Sequence, residues 1–298
     1  MLPNTIPIRN VNADACQRLN VGCGKHYHRD WVNLDLQSND PSVLCHDVTQ
    51  GIPFAGDHFD AVYHSHILEH LSPAQGRELV GECFRVLKPG GILRIVVPDL
   101  EEIVQLYLMM HDQAWEGDER ASVNYHWMKM ELLDQMVRSQ SGGLMGPYMV
   151  SISDDKAEFV QSRIGSEFQL CRAPDVGPQA QEKPPSMVER WRAGIARTKS
   201  TLVKRMIRTL LGADAERAFE VAVFRNQGEI HQWMYDRFSL RELCQQLGFV
   251  NFQVRSAFES EIEDYIDFQL DSIGNQIRKP DSLFIECQKP ALSMRASA

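Results

Sequence analysis

The chain is defined first by what it lacks. No apolar run reaches the roughly 18 residues that a membrane helix needs, so no membrane span is expected. The opening stretch MLPNTIPIRNVNADAC has no apolar h-region, which argues against a secretory signal. Basic charge is not in surplus: 31 Lys and Arg face 40 Asp and Glu, a net charge of −9, so the chain is not built to wrap nucleic acid. Cys16, Cys23, Cys45, Cys83, Cys171, Cys244 and Cys287 form no CxxC pair; an odd set without spacing reads as reduced thiols, with the cytoplasm as the default location. No internal repeat is present. What remains is an ordinary globular composition, 43% hydrophobic and 24% charged over 298 residues, enough for a sizeable core.

The first hundred residues alternate between strand and turn or helix. Arg18–Val21, Val32–Leu36, Val43–Asp47 and Ala61–His64 read as strands. Pro73–Leu87 carries Leu79, Val80, Cys83, Phe84 and Leu87 at helical spacing, with Pro89-Gly90-Gly91 expected to stop that helix. Ile92–Val97 is a continuous apolar run, the mark of a strand buried on both faces. Such alternation predicts an α/β fold with a mostly parallel sheet. Only Lys25–Trp31 joins the first strand to the second. A parallel crossover normally takes about a dozen residues and a helix, whereas seven extended residues span roughly 25 Å. The usual first helix is therefore expected to be absent or reduced to one turn.

Beyond residue 100 the pattern turns helical: Glu101–Asp112, Ala121–Arg138 and the basic amphipathic stretch Glu189–Leu211, with Arg172–Ser186 reading as a linker. A helix over Leu240–Leu247 and strands over Phe249–Ser256 and Ser282–Gln288 close the chain. The expected organisation is one α/β domain from residues 1–110 and 227–298, interrupted by a mostly helical insertion over 111–226.

The chemistry starts at Asn20-Val21-Gly22-Cys23-Gly24, where glycines after a first strand let backbone approach a ligand closely. Asp35 ends the second strand, where an acid can accept both hydroxyls of a ribose. Asp47 ends the third, ahead of Ile52-Pro53-Phe54, an arrangement suited to an adenine. A nicotinamide cofactor would want GxGxxG opening a helix whose N-terminus meets the pyrophosphate. The third glycine and the helix are both missing, which suits a donor without phosphates.

Together with FDAVYHSHILEHL (Phe59–Leu71) and RVLKPGGILRIVVPDL (Arg85–Leu100), these segments resemble class I S-adenosylmethionine-dependent methyltransferases of the type 11 group, over roughly Leu19–Leu100. The resemblance implies a Rossmann-like sheet and S-adenosylmethionine as cofactor. It implies donor contacts from Gly22, Cys23, Gly24, Asp35, Leu36, Asp47, Val48 and Ser65, with the Tyr63–His66 loop beside the sulfonium. The acceptor it suggests is an oxygen on a glycan or small polar metabolite. Lipid or quinone-like acceptors, or a non-catalytic donor-binding protein on the same fold, are the rival readings.

If the acceptor is a hydroxyl, a general base helps. His66, at the end of the fourth strand, and His231, in EIHQWMYD, are the candidates. His66-Ile67-Leu68-Glu69-His70 also fits the H-x-x-E-H zinc pattern, but no third ligand stands out, and no metal is expected. The segment Glu131–Gly146 reads either as a lid hinged at Gly142-Gly143 or as a capped helix with a glycine turn. Between Glu189 and Leu211, seven basic residues face one acid. Trp191, Ile195, Leu202, Met206 and Leu210 form the opposite stripe, interrupted by Arg192 and Lys199. Peripheral contact with the inner membrane face is one use; packing of the stripe on the domain is the other.

Overall fold

The computed structural model describes residues 16–172 and 201–291. A seven-stranded sheet has the order β3-β2-β1-β4-β5-β9-β6. Its strands are β1 Arg18–Val21, β2 Val32–Asp35, β3 Val43–Cys45, β4 Phe59–Ser65, β5 Leu87–Pro98, β6 Val250–Arg255 and β9 Ser282–Gln288. β1 to β5 pair in parallel, and β9 runs antiparallel between β5 and β6. This is the doubly wound 3-2-1-4-5 order with one reversed strand inserted, the mostly parallel Rossmann-like sheet expected.

Helix α1, Pro73–Val86, starts because Ser72 and Gln75 form a capping box with Pro73 in the first turn. It does not stop at Pro89-Gly90-Gly91. Leu87 is already extended, and β5 runs through Lys88-Pro89-Gly90-Gly91 as an irregularity in the ladder: Phe59 pairs with Leu87 and Ala61 with Ile92. Lys88 clamps this bulge by bonding Asp60 at 2.8 Å, and Gly90 takes φ +85°. The apparent stop signal is a bulge that re-aims the strand.

The two faces of the sheet are covered differently. On one, Leu19, Val21, Leu34, Val62, Leu93, Ile95 and Ile285 meet Leu79, Val80 and Cys83 of α1, and Leu240 and Cys244 of α9, Arg237–Gln246. On the other, no helix follows β1: Lys25–Trp31 is turn and loop, as its length predicts. Two strand asparagines hold that loop. Asn33 donates to the carbonyls of His28 and Trp31, both at 2.9 Å, and Asn20 to that of His26 at 3.4 Å. Trp31, Ala61, Tyr63, Val96 and Phe284 on this face are covered by Ala257, Ile262, Tyr265 and Leu270 of the β6–β9 connection. That connection carries the small hairpin β7 Ser272–Ile273 and β8 Gln276–Ile277.

Arg94, in the middle of β5 and fully buried, fastens the connection. It bonds Asp271 at 2.8 Å, Glu286 at 2.9 Å and the carbonyls of Ser256 and Glu259, both at 2.9 Å, and it lies over the Tyr265 ring. Tyr63 and Tyr265 each donate to Asp271 at 2.7 Å. A buried ion pair of this kind is tolerable only because nearly every polar atom is bonded.

The insertion has its own core. Helices α2 Leu100–Trp115, α3 Glu119–Val137, α4 Met145–Ser151, α5 Glu158–Ile164 and α6 Ser166–Arg172 gather Trp127, Met128, Val160 and Phe168. Ile103 and Met110 of α2 belong to it, ahead of the expected start at residue 111. Buried Glu131 accepts from Trp127 and Arg163, both at 2.7 Å. The Gly142-Gly143 turn is a locked cap rather than a hinge. Asp134 accepts from Leu144 N at 2.8 Å and pairs with Arg138 at 2.9 Å, while Glu229 accepts from Gly142 N at 2.9 Å. A Cβ at Gly143 would lie 2.2 Å from the Asp134 carboxylate.

Of the basic stretch, 189–200 lie outside the described residues, as does 173–186 of the expected linker. Residues 201–211 form helix α7, followed by α8, Ala213–Arg225. Leu202, Met206 and Leu210 are exposed, so in the described part the stripe does not pack on the domain. Lys204 and Arg208 face Glu220 and Glu216 of α8 at 2.7 and 3.6 Å. Among the described residues, no helix is long and apolar enough to cross a membrane, and all seven cysteines are free.

Candidate active site

A cleft of about 530 Å³ opens at the carboxyl ends of β1 and β4, where open α/β sheets bind ligands. Gly22, Cys23 and Gly24 line its floor together with Ser65 and His66. Both glycines are left-handed, φ +63° and +53°. A Cβ on Gly22 would lie 1.9 Å from Ile67 Cδ1, so the turn needs glycine there, while a Cβ on Gly24 would meet nothing within 4 Å. Asp35 Oδ2 accepts from Gly24 N at 2.7 Å, which ties the end of β2 to the turn. Leu36 beside it is 61% exposed, an uncovered apolar side chain next to an acid.

Asp47 caps the short helical turn Val48–Gln50, accepting from Thr49 N at 3.0 Å and Thr49 Oγ1 at 2.7 Å, and Val48 leans on the sheet core. Cys23 is buried, and burial and then the Asp35 carboxylate push its thiol up to about 12, which makes it a packing residue rather than a nucleophile.

The opposite wall comes from far along the chain: Ser166, Glu167, Gln169 and Leu170 of α6, with Ile273 of β7 and Arg278 and Lys279 just after β8. Arg278 donates to Ser65 Oγ at 3.1 Å and to the Leu270 carbonyl at 3.0 Å, and Lys279 pairs with Glu167 at 3.0 Å. These residues were not singled out from the sequence. Their only local signal is a pair of adjacent basic residues.

The two histidine candidates part company here. His66, at φ +54°, lines the cleft. Its Nδ1 lies 2.9 Å from Glu69 Oε1 and its Nε2 2.9 Å from Ser282 Oγ. Burial, with Lys279 nearby, lowers its pKa from the ordinary histidine value against the pull of Glu69. His231 does not line the cleft. It is buried at 5% exposure behind Glu69, its backbone N donates to Gln135 O at 3.0 Å, and burial lowers its pKa to about 3. The segment around it, EIHQWMYD, is tied to the loop before α1, with Gln232 N and Trp233 N donating to Glu69 O at 2.7 and 3.2 Å. The zinc-pattern geometry is also absent. His66 is left-handed and only Leu68–His70 is helical, as a single 3₁₀ turn, so His66 and His70 do not stack one α-turn apart.

Residues 23–95 match a family model described as "Methyltransferase domain". A search of curated proteins finds no match. Among solved structures, the chain is similar to a SAM dependent methyltransferase from Archaeoglobus fulgidus at 11% identity, covering 92% of this chain and 86% of that one, with a TM-score of 0.36. It is similar to a possible histamine N-methyltransferase from Thermotoga maritima at 10% identity, covering 92% and 82%, with a TM-score of 0.35. The matched segment, about a quarter of the chain, holds Gly24, the strand-end acids Asp35 and Asp47 and the HSHILEH loop, so over that stretch the Rossmann-like sheet is similar to a methyltransferase domain. The glycine cradle, from which no phosphate-binding helix rises, suits a donor without phosphates.

Proposed function

We propose that the protein methylates an oxygen of a glycan or other small polar metabolite, with His66 as general base. S-adenosylmethionine supplies a methyl group already activated on a sulfonium, so the chain's part is alignment and exclusion of water. In this reading Gly22, Cys23 and Gly24 hold the methionine part of the donor, Asp35 takes the ribose hydroxyls, and Leu36, Asp47 and Val48 flank the adenine. Ser65 sits beside the reacting centre. The polar wall of Ser166, Glu167, Gln169, Arg278 and Lys279 suits a hydrophilic acceptor better than a quinone. Location at the inner membrane face through 189–211 draws support from the uncovered Leu202, Met206 and Leu210.

The observation that carries the reading is the setting of His66. With its proton on Nδ1 toward Glu69, Nε2 accepts from Ser282 and is the nitrogen free to take a proton when an acceptor hydroxyl replaces that contact. The substitution His66→Asn keeps a residue that tolerates the left-handed backbone. Turnover on an accepted glycan should fall by about 10²-fold or more, with affinity for S-adenosylhomocysteine, read by calorimetry, nearly unchanged. An unaltered turnover number removes His66 as the base.

A further inference from the structure

Behind the cleft, Glu69, His70 and His231 bring one carboxylate and two imidazoles together, with one ligand atom from each lying within 4.8 Å of the others. We propose that these three residues bind a divalent transition metal, with Zn(II) as the probe ion. Two histidines and a carboxylate are a recurring ligand set for zinc and for non-haem iron.

The polar groups here lack partners that proteins ordinarily supply. Glu69 is fully buried; Oε1 has His66 Nδ1 at 2.9 Å as its one close contact, and Oε2 has no partner. His231, 5% exposed, has a buried Nδ1 with no partner. A buried carboxylate and imidazole left unbonded are costly; an ion between them satisfies both.

The surroundings also fit. His70 Nδ1 donates to the Ile230 carbonyl at 3.1 Å, which leaves Nε2 as the ligating nitrogen, the second contact that metal-bound histidines commonly make. Gln232 Nε2 donates to His70 O at 2.9 Å, and Glu69 O accepts from Gln232 N and Trp233 N, so the two ligand-bearing segments are fixed against each other before any ion arrives. Metal–ligand bonds of about 2.0–2.2 Å put tetrahedral donors roughly 3.4 Å apart, so side-chain rotations of about an ångström close the site. His70 is only partly buried and gives the ion a way in.

The ion would pin the end of the helical insertion to the HSHILEH loop, with Glu69 shared between the metal on one side and His66 on the other. This departs from the metal-free reading of the sequence, and from the H-x-x-E-H pattern too, since the second histidine ligand comes from 161 residues downstream of His70 rather than from His66.

The test is metal content, independent of any methyl transfer. Full-length protein is stripped with chelator, incubated with Zn(II), desalted and assayed by elemental mass spectrometry; Co(II) is loaded in parallel for its visible d–d absorption. One equivalent per chain is expected, falling at least tenfold in His70→Ala and His231→Ala. Should either alanine variant fail to fold, His70→Cys decides: it should keep the ion and add a thiolate-to-cobalt charge-transfer band. No retained Zn(II) and no Co(II) d–d spectrum in the parent overturns the proposal. So does full retention in both alanine variants, or a His70→Cys protein that binds Co(II) without the new band.

Discussion

The two walls of the cleft are built by different means. The floor is local: Gly22 to Asp35 and Tyr63 to His66 lie within 45 residues of sequence, and strand ends place them without help from the rest of the chain. The roof is assembled from α6 and the β6–β9 connection, and it is held by side-chain bonds across long separations, Arg94 to Asp271 over 177 residues and to Glu286 over 192. A floor of this kind depends on backbone shape; the roof depends on buried charge.

Breaking the roof should have the largest effect. Arg94→Ala leaves Asp271 buried without its cation and Glu286 with only the Arg255 cation, 3.4 Å away, and a cost of about 3–5 kcal/mol is expected from the loss of one partner of a buried ion pair. Urea unfolding measures it; a loss below about 1 kcal/mol would mean that apolar packing alone holds the connection down. The floor should fail differently. Asp35→Ala removes a half-buried acid at a strand end, so the fold should survive while S-adenosylhomocysteine binding weakens by about 10²-fold, the worth of charged hydrogen bonds to two hydroxyls. Equal affinity in parent and variant would remove Asp35 from the donor site.

The smallest effect sharpens the contrast at the root of the roof. Burial, then Glu131, pushes Asp281 up to about 7, with Glu167 adding to the rise and Lys279 and Arg163 opposing it. Its folded pKa lies above its unfolded value, so the folded protein holds the extra proton between about pH 4 and 7. Stability from this group is present at pH 4 and lost as the pH rises through 7. Asp281→Asn should therefore raise stability at pH 8 and leave it unchanged at pH 4, as thermal melts at the two pH values would show.

Much of the floor was legible because its rules are local. A seven-residue link that must also return along the sheet has no room for the usual crossover helix, and Lys25–Trp31 holds none. The strands announced themselves by their apolar runs. The bulge at Lys88–Gly91 was not legible: Pro-Gly-Gly reads as a terminator, and only pairing with Phe59 and Ala61 makes it strand. Arg94 hid inside ILRIVV, where one cation looks incidental until its partners arrive from residues 256–286. His231 drew attention by its polar neighbours, yet those neighbours bond backbone, and the imidazole turns inward. Long-range pairing leaves no local pattern, so the roof, with Arg278 and Lys279, could not be read ahead of the fold.

The helix-free face of the sheet also sets an order in time. Trp31, Tyr63 and Val96 are made well before the residues that cover them, Ala257 to Leu270. All four partners that Arg94 bonds lie at residue 256 or later. A nascent chain therefore carries a wet aromatic patch and an unpaired internal cation until the segment 256–286 is made, and the donor floor becomes a working site only when that segment folds back over it.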